Sequence, residues 1–170
     1  MIQILQPGLF VQSIYDIDLD RLVERGVRGL ILDLDNTLVG WNQPRASKEL
    51  LQWLEDVKLR ELQTCIVSNN MGDRVEQFSQ HVGVMAIAKA AKPRRRAFRQ
   101  AMQRMGTNRQ DTAVVGDQIF TDILGGNRLH LFTILVRPMN EQEFWTTQLV
   151  RRLERAVLPG REPARLSDRS

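Results

Sequence analysis

A chain of 170 residues is long enough to bury about 70% of the surface its unfolded form exposes, so one domain needing no disulfide staples is expected. The single cysteine, Cys65, sits in the apolar run Cys65-Ile66-Val67, which excludes a disulfide framework and reads as an inert buried thiol in a reducing compartment. No apolar run approaches the roughly 20 residues that span a bilayer, and no charged segment followed by an apolar one opens the chain, so a cytoplasmic protein is expected.

The net charge of +4 is unevenly placed. Eight basic residues and no acidic one lie between Lys89 and Arg109, and six arginines meet three acids between Arg151 and Ser170. Such a field attracts a phosphorylated substrate, an anionic membrane surface or nucleic acid.

Along the chain, residues 1–26 read as an N-terminal extension packing on the core. Asp18 is placed to cap a short helix whose Leu19, Leu22 and Val23 face inward, and Gly26 to end it. Val27 to Leu32 then form a strand apolar enough to be buried on both faces, and Asp33 and Asp35 follow as it ends. Ser47 caps a helix with Leu50, Leu51, Leu54, Val57 and Leu59 on its apolar side. Trp41, Trp53 and Trp145 read first as packing residues, with bordering a substrate as the second reading of Trp41, which lies in the loop after Asp33 and Asp35.

A second strand, Thr64 to Val67, ends in Ser68-Asn69-Asn70, and a helix from Asp73 to His81 is closed by Gly83. Val84 to Ala88 make a third strand. Pro93 suits the first turn of the next helix, with Ala97, Phe98, Ala101, Met102 and Met105 as its core face. Thr112 to Val115 give a fourth strand ending in Gly116-Asp117, and a helix or turn from Ile119 to Leu124 leads to a fifth, Leu131 to Val136. Glu141 to Leu158 read as a final amphipathic helix, which would close a domain over 27–158; the tail 159–170 reads as disordered and basic. The alternation of strands and helices implies an α/β fold of three layers around a five-stranded, mainly parallel sheet.

In such sheets ligands bind beyond the carboxyl ends of the strands. Four of the five strands end, directly or after a short loop, in groups suited to phosphate and metal chemistry: Asp33 and Asp35, Ser68, Lys92, and Asp117. A phosphate monoester repels anionic attackers, so a cation must neutralise its oxygens while a nucleophile is held in line. Asp33 is placed to attack phosphorus and form an aspartyl-phosphate, and Asp35 to protonate the leaving oxygen and then activate water. That second role calls for a carboxyl pKa raised by partial burial and by the charge of Asp33. Ser68, with main-chain N–H groups near Asn69, can bind phosphoryl oxygens, and Lys92 supplies fixed positive charge.

Asp33-x-Asp35-x-Thr37-Leu38, Ser68, Lys92-Pro93 and Gly116-Asp117-x-x-x-Thr121-Asp122 resemble, in order, the four motifs of the haloacid dehalogenase (HAD) superfamily, over roughly Val27 to Val136. The resemblance implies a Rossmann-like fold and a magnesium ion held by the Asp33 carboxylate, the Asp35 main-chain carbonyl and the Asp117 carboxylate, with Asp122 outside the ion's ligands as a partner for Lys92. An acid at Asp35 resembles the phosphatase and phosphomutase pattern, of which hydrolysis is the favoured reading. The gaps Leu38–Val67 and Ser68–Lys92 hold one helix each, too little for a cap domain, which implies an open site suited to phosphate on something large. With Ser13-Ile14-Tyr15-Asp16-Ile17 included, the pattern looks like the subfamily IIIA branch that contains phosphatidylglycerophosphate phosphatases. His130 stands where relatives would be expected to carry glycine, which puts that turn in question.

The resemblance thus implies a magnesium-dependent phosphomonoesterase acting on an anionic lipid phosphate, with peripheral contact at the inner face of a membrane. The alternatives are the same fold acting on phosphoprotein or nucleic-acid phosphate ends, and a non-catalytic nucleic-acid-binding module; no aromatic residues interleave with most of the arginines, which argues against the last.

Overall fold

The computed structural model describes residues 2–140, and the expected helix over 141–158 and the tail 159–170 lie outside the described residues. Strand formation follows the apolar runs. β1 (Leu9–Val11), β2 (Gly29–Leu32), β3 (Gln63–Val67), β4 (Met85–Ile87), β5 (Thr112–Gly116) and β6 (Phe132–Val136) form one sheet. Their order is β1-β6-β5-β2-β3-β4, every neighbouring pair parallel. The sheet therefore has six strands rather than the five expected. The extra one, β1, comes from the segment before the first expected strand and pairs Leu9 with Ile134 and Val11 with Val136 at the sheet's edge.

Both faces of the sheet are covered, as parallel strands require. Leu30 and Leu32 of β2 join one buried cluster with Leu19 and Leu22 of α1 (Leu19–Glu24), Leu50 and Val57 of α2 (Lys48–Leu59), and Val75 and Phe78 of α3 (Gly72–Val82). Ile31, pointing the other way, joins Phe98, Ala101 and Met105 of α4 (Arg95–Met105). Alternation along one strand thus defines the three layers. Cys65 lies in the second cluster, and burial pushes its thiol up to about 11, which fits an inert packing residue.

The caps form where the sequence placed them. Asp18 accepts a hydrogen bond from the Arg21 N–H at 3.0 Å and Ser47 from the Leu50 N–H at 3.1 Å. Gly26 and Gly83 adopt left-handed backbone after α1 and α3. Some inward assignments fail: Val23, Leu51 and Leu59 are exposed. In α2 the buried residues are Leu50, Trp53, Leu54 and Val57, an i, i+3, i+4, i+7 stripe from which Leu51 and Leu59 fall away. Trp41, read as packing, is half exposed. Pro93 is not in the first turn of α4; the Lys92–Pro93 peptide is cis and the helix begins at Arg95. His130 has φ 59°, the left-handed conformation in which glycine is favoured.

Candidate active site

β2 and β5 are neighbours at the centre of the sheet, and the chain leaves them in opposite directions, toward β3 on one side and β6 on the other. Such a switch point opens a crevice at the strands' carboxyl ends. Asp33 stands there, its N–H donating to the Val115 carbonyl at 2.9 Å, so the pairing of the two strands fixes its backbone. The chain then turns tightly. The Leu38 and Val39 N–H groups reach back to the Leu34 carbonyl, and Asn36 takes a left-handed φ of 62°. This turn brings the buried Thr37 hydroxyl 3.0 Å from Asp117 Oδ1 and 3.3 Å from Asp33 Oδ2. One hydroxyl proton thus faces two carboxyl groups.

Lys92 arrives from a different strand through a loop held in uncommon backbone conformations, Lys89 at φ 50° and Ala91 at φ 54°. The Asn69 side chain grips this loop twice: its amide donates to the Lys92 carbonyl at 3.3 Å, and its oxygen accepts from the Lys92 N–H at 2.7 Å. So positioned, Lys92 Nζ donates to Asp33 Oδ1 and to Asp122 Oδ1, both at 2.6 Å. Asp122 belongs to a π-helical turn, Ile119–Ile123, which leads into α5 (Leu124–Asn127); its other oxygen accepts from the Gln118 N–H at 3.2 Å. π turns of this kind recur at functional sites.

Gly116 makes the approach possible. A Cβ there would lie 2.3 Å from the Asp122 carboxyl. Gly116→Ala is expected to push Asp122 off Lys92 and to destabilise the fold by about 1–3 kcal/mol. Gly72→Ala, where a Cβ meets nothing within 4 Å, serves as control and should leave stability unchanged or slightly raised. Thermal melts of both variants check this.

Oxygens of Asp33, Asp117 and Asp122 lie within 4.8 Å of one another, against the one ammonium of Lys92. With all three acids ionised the cluster carries a formal excess of two negative charges in a buried place, which calls for protons or a cation. The electrostatics follow. Burial, then the charges of Asp33 and Asp122, push Asp117 up to about 9. Burial also raises Asp122, opposed by Lys92. Burial works against the charge on Lys92, but Asp122 and Asp33 outweigh it and hold the ammonium above its ordinary pKa.

An all-oxygen, carboxylate-rich donor set with this charge excess fits a hard divalent cation. The sign of the pH effect is then fixed. A carboxyl raised in the folded state favours folding when protonated, so the contribution of Asp117 is complete below its ordinary value of 3.8 and is lost as pH rises toward about 9. Metal-free protein should therefore melt lower at pH 8.5 than at pH 6.5. Adding a divalent cation should raise the melting temperature more at the higher pH, because fewer protons compete. Scanning calorimetry with chelator or metal reads both effects.

Asp35 lies in a different environment from the one expected. Its Oδ1 accepts from Arg74 Nε at 3.1 Å and Nη2 at 2.8 Å, and its Oδ2 from the Asn70 amide at 3.0 Å. Its partner is a guanidinium, because the start of α3 faces the turn after β2. Arg74 Nη2 also donates to the carbonyls of Gly40 at 3.2 Å and Gln43 at 3.4 Å, tying the loop after Asp35 to the helix. Ser68 is buried at the end of β3, its hydroxyl oxygen accepting from the Asn70 N–H at 3.1 Å.

The fold thus brings together Asp33, Lys92, Asp117 and Asp122 directly, and Asp35, Ser68 and Asn69 through the loops beside them. Sequence reasoning did not assign Thr37, Asn70 or Arg74 to the site. Thr37 had a signal, its fixed place four residues after Asp33; Arg74 had none, since an arginine in the first turns of a helix reads as a surface cation.

A family model described as HAD-hydrolase-like matches residues 89–149. A protein named probable phosphatase YqeG, from Bacillus subtilis (strain 168), is 43% identical over 152 residues, covering 89% of this chain and 88% of that protein. The chain belongs to the HAD superfamily of phosphatases. The phosphatidylglycerophosphate phosphatase 1 of Arabidopsis thaliana, chloroplastic/mitochondrial, is 26% identical over 166 residues; the match covers 92% of this chain but 48% of that protein. Among solved structures, a 3-deoxy-D-manno-octulosonate 8-phosphate phosphatase from Yersinia pestis aligns with a TM-score of 0.51 at 11% identity, over 76% of this chain and 72% of that one. A hypothetical protein from Xanthomonas campestris aligns with a TM-score of 0.54 at 15% identity, over 74% and 72%. These two share the HAD fold. As a HAD phosphatase, the protein is an enzyme cleaving phosphate esters, and the non-catalytic alternative is set aside. No helix among its described residues is long and apolar enough to cross a membrane.

Proposed function

We propose that this HAD phosphatase hydrolyses phosphatidylglycerophosphate to phosphatidylglycerol, with magnesium as its metal, acting from the cytoplasm at the inner face of a membrane. The observation that carries the substrate class is the similarity to a protein named for that activity along 92% of the chain. The open site supports it. Between β2 and β3 the chain forms only α2 and loops, and between β3 and β4 only α3 and loops, so among the described residues no domain inserted there closes over the carboxylates and a phosphate on a bulky lipid has access.

Asp33 attacks phosphorus in line, and the ester oxygen leaves with its bonding electrons and takes a proton from Asp35. Water then attacks the phosphorus of the aspartyl-phosphate and gives a proton to Asp35, while the bond from Asp33 to phosphorus breaks, its electron pair restoring the Asp33 carboxylate and freeing phosphate. For both transfers Asp35 exchanges its contacts with Arg74 and Asn70 for the leaving oxygen and then for water. Lys92 holds positive charge toward the phosphoryl oxygens, oriented by Asp122; Ser68 and main-chain N–H groups near Asn69 bind those oxygens. The Asp33 and Asp117 carboxylates and the Asp35 main-chain carbonyl would hold magnesium, which supplies charge neutralisation when bound. Thr37 keeps Asp33 and Asp117 in register, and the Asn69 side chain keeps the Lys92 loop in place.

Phosphate release from phosphatidylglycerophosphate in detergent micelles, from a phosphopeptide and from a 5′-phosphorylated oligonucleotide tests the assignment. The lipid should be turned over with the highest kcat/KM, and only with magnesium present. Preference for either of the other substrates would replace the lipid reading and leave the phosphatase intact.

A further inference from the structure

Three exposed apolar side chains lie on segments that adjoin the turn after Asp33, directly or through one hydrogen-bonded neighbour. Trp41 is 50% exposed, Met71 65% and Met139 48%. Trp41 follows Gly40, whose carbonyl is held by Arg74, the partner of Asp35. Met71 donates its N–H to the side-chain oxygen of Asn70, and the amide of Asn70 reaches Asp35. Met139 donates its N–H to the carbonyl of Asn36 at 3.0 Å, and a Cβ on Gly40 would meet the Asn140 side chain at 3.0 Å. All three thus meet around the segment Asp35 to Gly40.

Cations border the same rim. The exposed Lys89 donates its N–H to the Asn70 carbonyl at 3.0 Å, next to Met71. Arg94, Arg95 and Arg96 are exposed just beyond Lys92, where the Asn69 side chain ties their loop to the β3 end. Arginines at the start of a helix work against its dipole, so their placement serves something other than the stability of α4. The exposed acid Asp73, two residues after Met71, is one charge against these four.

We infer that Trp41, Met71 and Met139, ringed by Lys89 and Arg94–Arg96, form a docking face that seats the open site on an anionic lipid bilayer. The proposal rests on the lipid-phosphate reading above and names the surface that delivers such a substrate. Charge complementarity selects the occupant. Isolated large apolar side chains between cations suit shallow insertion among headgroups, where tryptophan is at home and each basic residue near the surface adds attraction. A protein partner would instead need a continuous packed interface of about 1,000 Å² or more.

The test is sedimentation of the full chain with vesicles of phosphatidylcholine alone or mixed with phosphatidylglycerol. Wild type should bind the anionic vesicles and not the neutral ones. Arg94→Gln/Arg95→Gln/Arg96→Gln should weaken binding on the order of 100-fold, at roughly fivefold per charge. Trp41→Ser/Met71→Ser should weaken it on the order of 10-fold or more. Both variants should keep wild-type kcat on a soluble phosphate ester, which shows that they are folded. Wild type that ignores anionic vesicles, or variants that bind as wild type does, would overturn the docking face. If vesicle binding follows the prediction while micellar phosphatidylglycerophosphate is not hydrolysed, the docking face stands and the substrate assignment falls.

Discussion

Asp33→Asn is expected to lower phosphate release by on the order of 10⁴-fold or more, with KM changed far less, because the substitution removes the attacking electron pair while keeping the side chain's shape. The fold should survive. Lys92 Nζ retains Asp122 at 2.6 Å, and Thr37 retains Asp117 at 3.0 Å, so no buried ion is left without a partner. The loss of one carboxylate also relieves repulsion on Asp117, whose pKa should fall from about 9. Steady-state kinetics on a soluble ester, beside a thermal melt, separate the two effects. Substantial residual turnover would remove Asp33 from the chemical step.

Lys92→Met carries the largest expected cost in stability. The ammonium is buried between two carboxylates, its side chain 3% exposed. Methionine would fill the space but leave Asp33 and Asp122 ionised without a cation, a defect of about 3–5 kcal/mol. For a domain of this size the melting temperature should fall by roughly 6–20 °C in chelator. The defect should shrink as pH falls, since a proton on Asp122, whose carboxyl burial already raises, takes over part of the neutralising that Lys92 did. An unchanged melting temperature at neutral pH would mean that the carboxylates do not depend on Lys92. Phosphate release should be abolished in either case.

The central strands were legible because parallel strands covered on both faces must be apolar throughout, and Leu30-Ile31-Leu32 and Ala113-Val114-Val115 are fully buried. β1 was not. It is three residues long, lies at the sheet edge with Leu9 and Phe10 half-buried, and owes its pairing to β6, more than 120 residues away. No local pattern reports such a contact. Leu51 and Leu59 were misassigned for a related reason, since a leucine-rich helix offers more apolar positions than one face can bury.

At the site, residues that belong to strand ends could be placed from sequence, because topology alone carries them to one rim. Asp33 and Asp117 are of this kind, and Lys92 follows its strand by a short loop. What depends on the register between a helix and a loop could not. Arg74 reaches Asp35 because the first turn of α3 lies against the turn after β2, which no spacing within either segment reveals. The main chain near Asn69 was expected to face phosphate; the pairing of its side chain with the Lys92 backbone, across 23 positions of sequence, carried no local signal.

A rapid acid quench during turnover, followed by peptide mass spectrometry, addresses the role of Asp33 most directly. One phosphoryl group should be found on the peptide containing Asp33, should be absent from Asp33→Asn, and should disappear once the substrate is exhausted. Turnover at full rate with no phosphorylated peptide, or with the phosphoryl group on a residue other than Asp33, would contradict the mechanism.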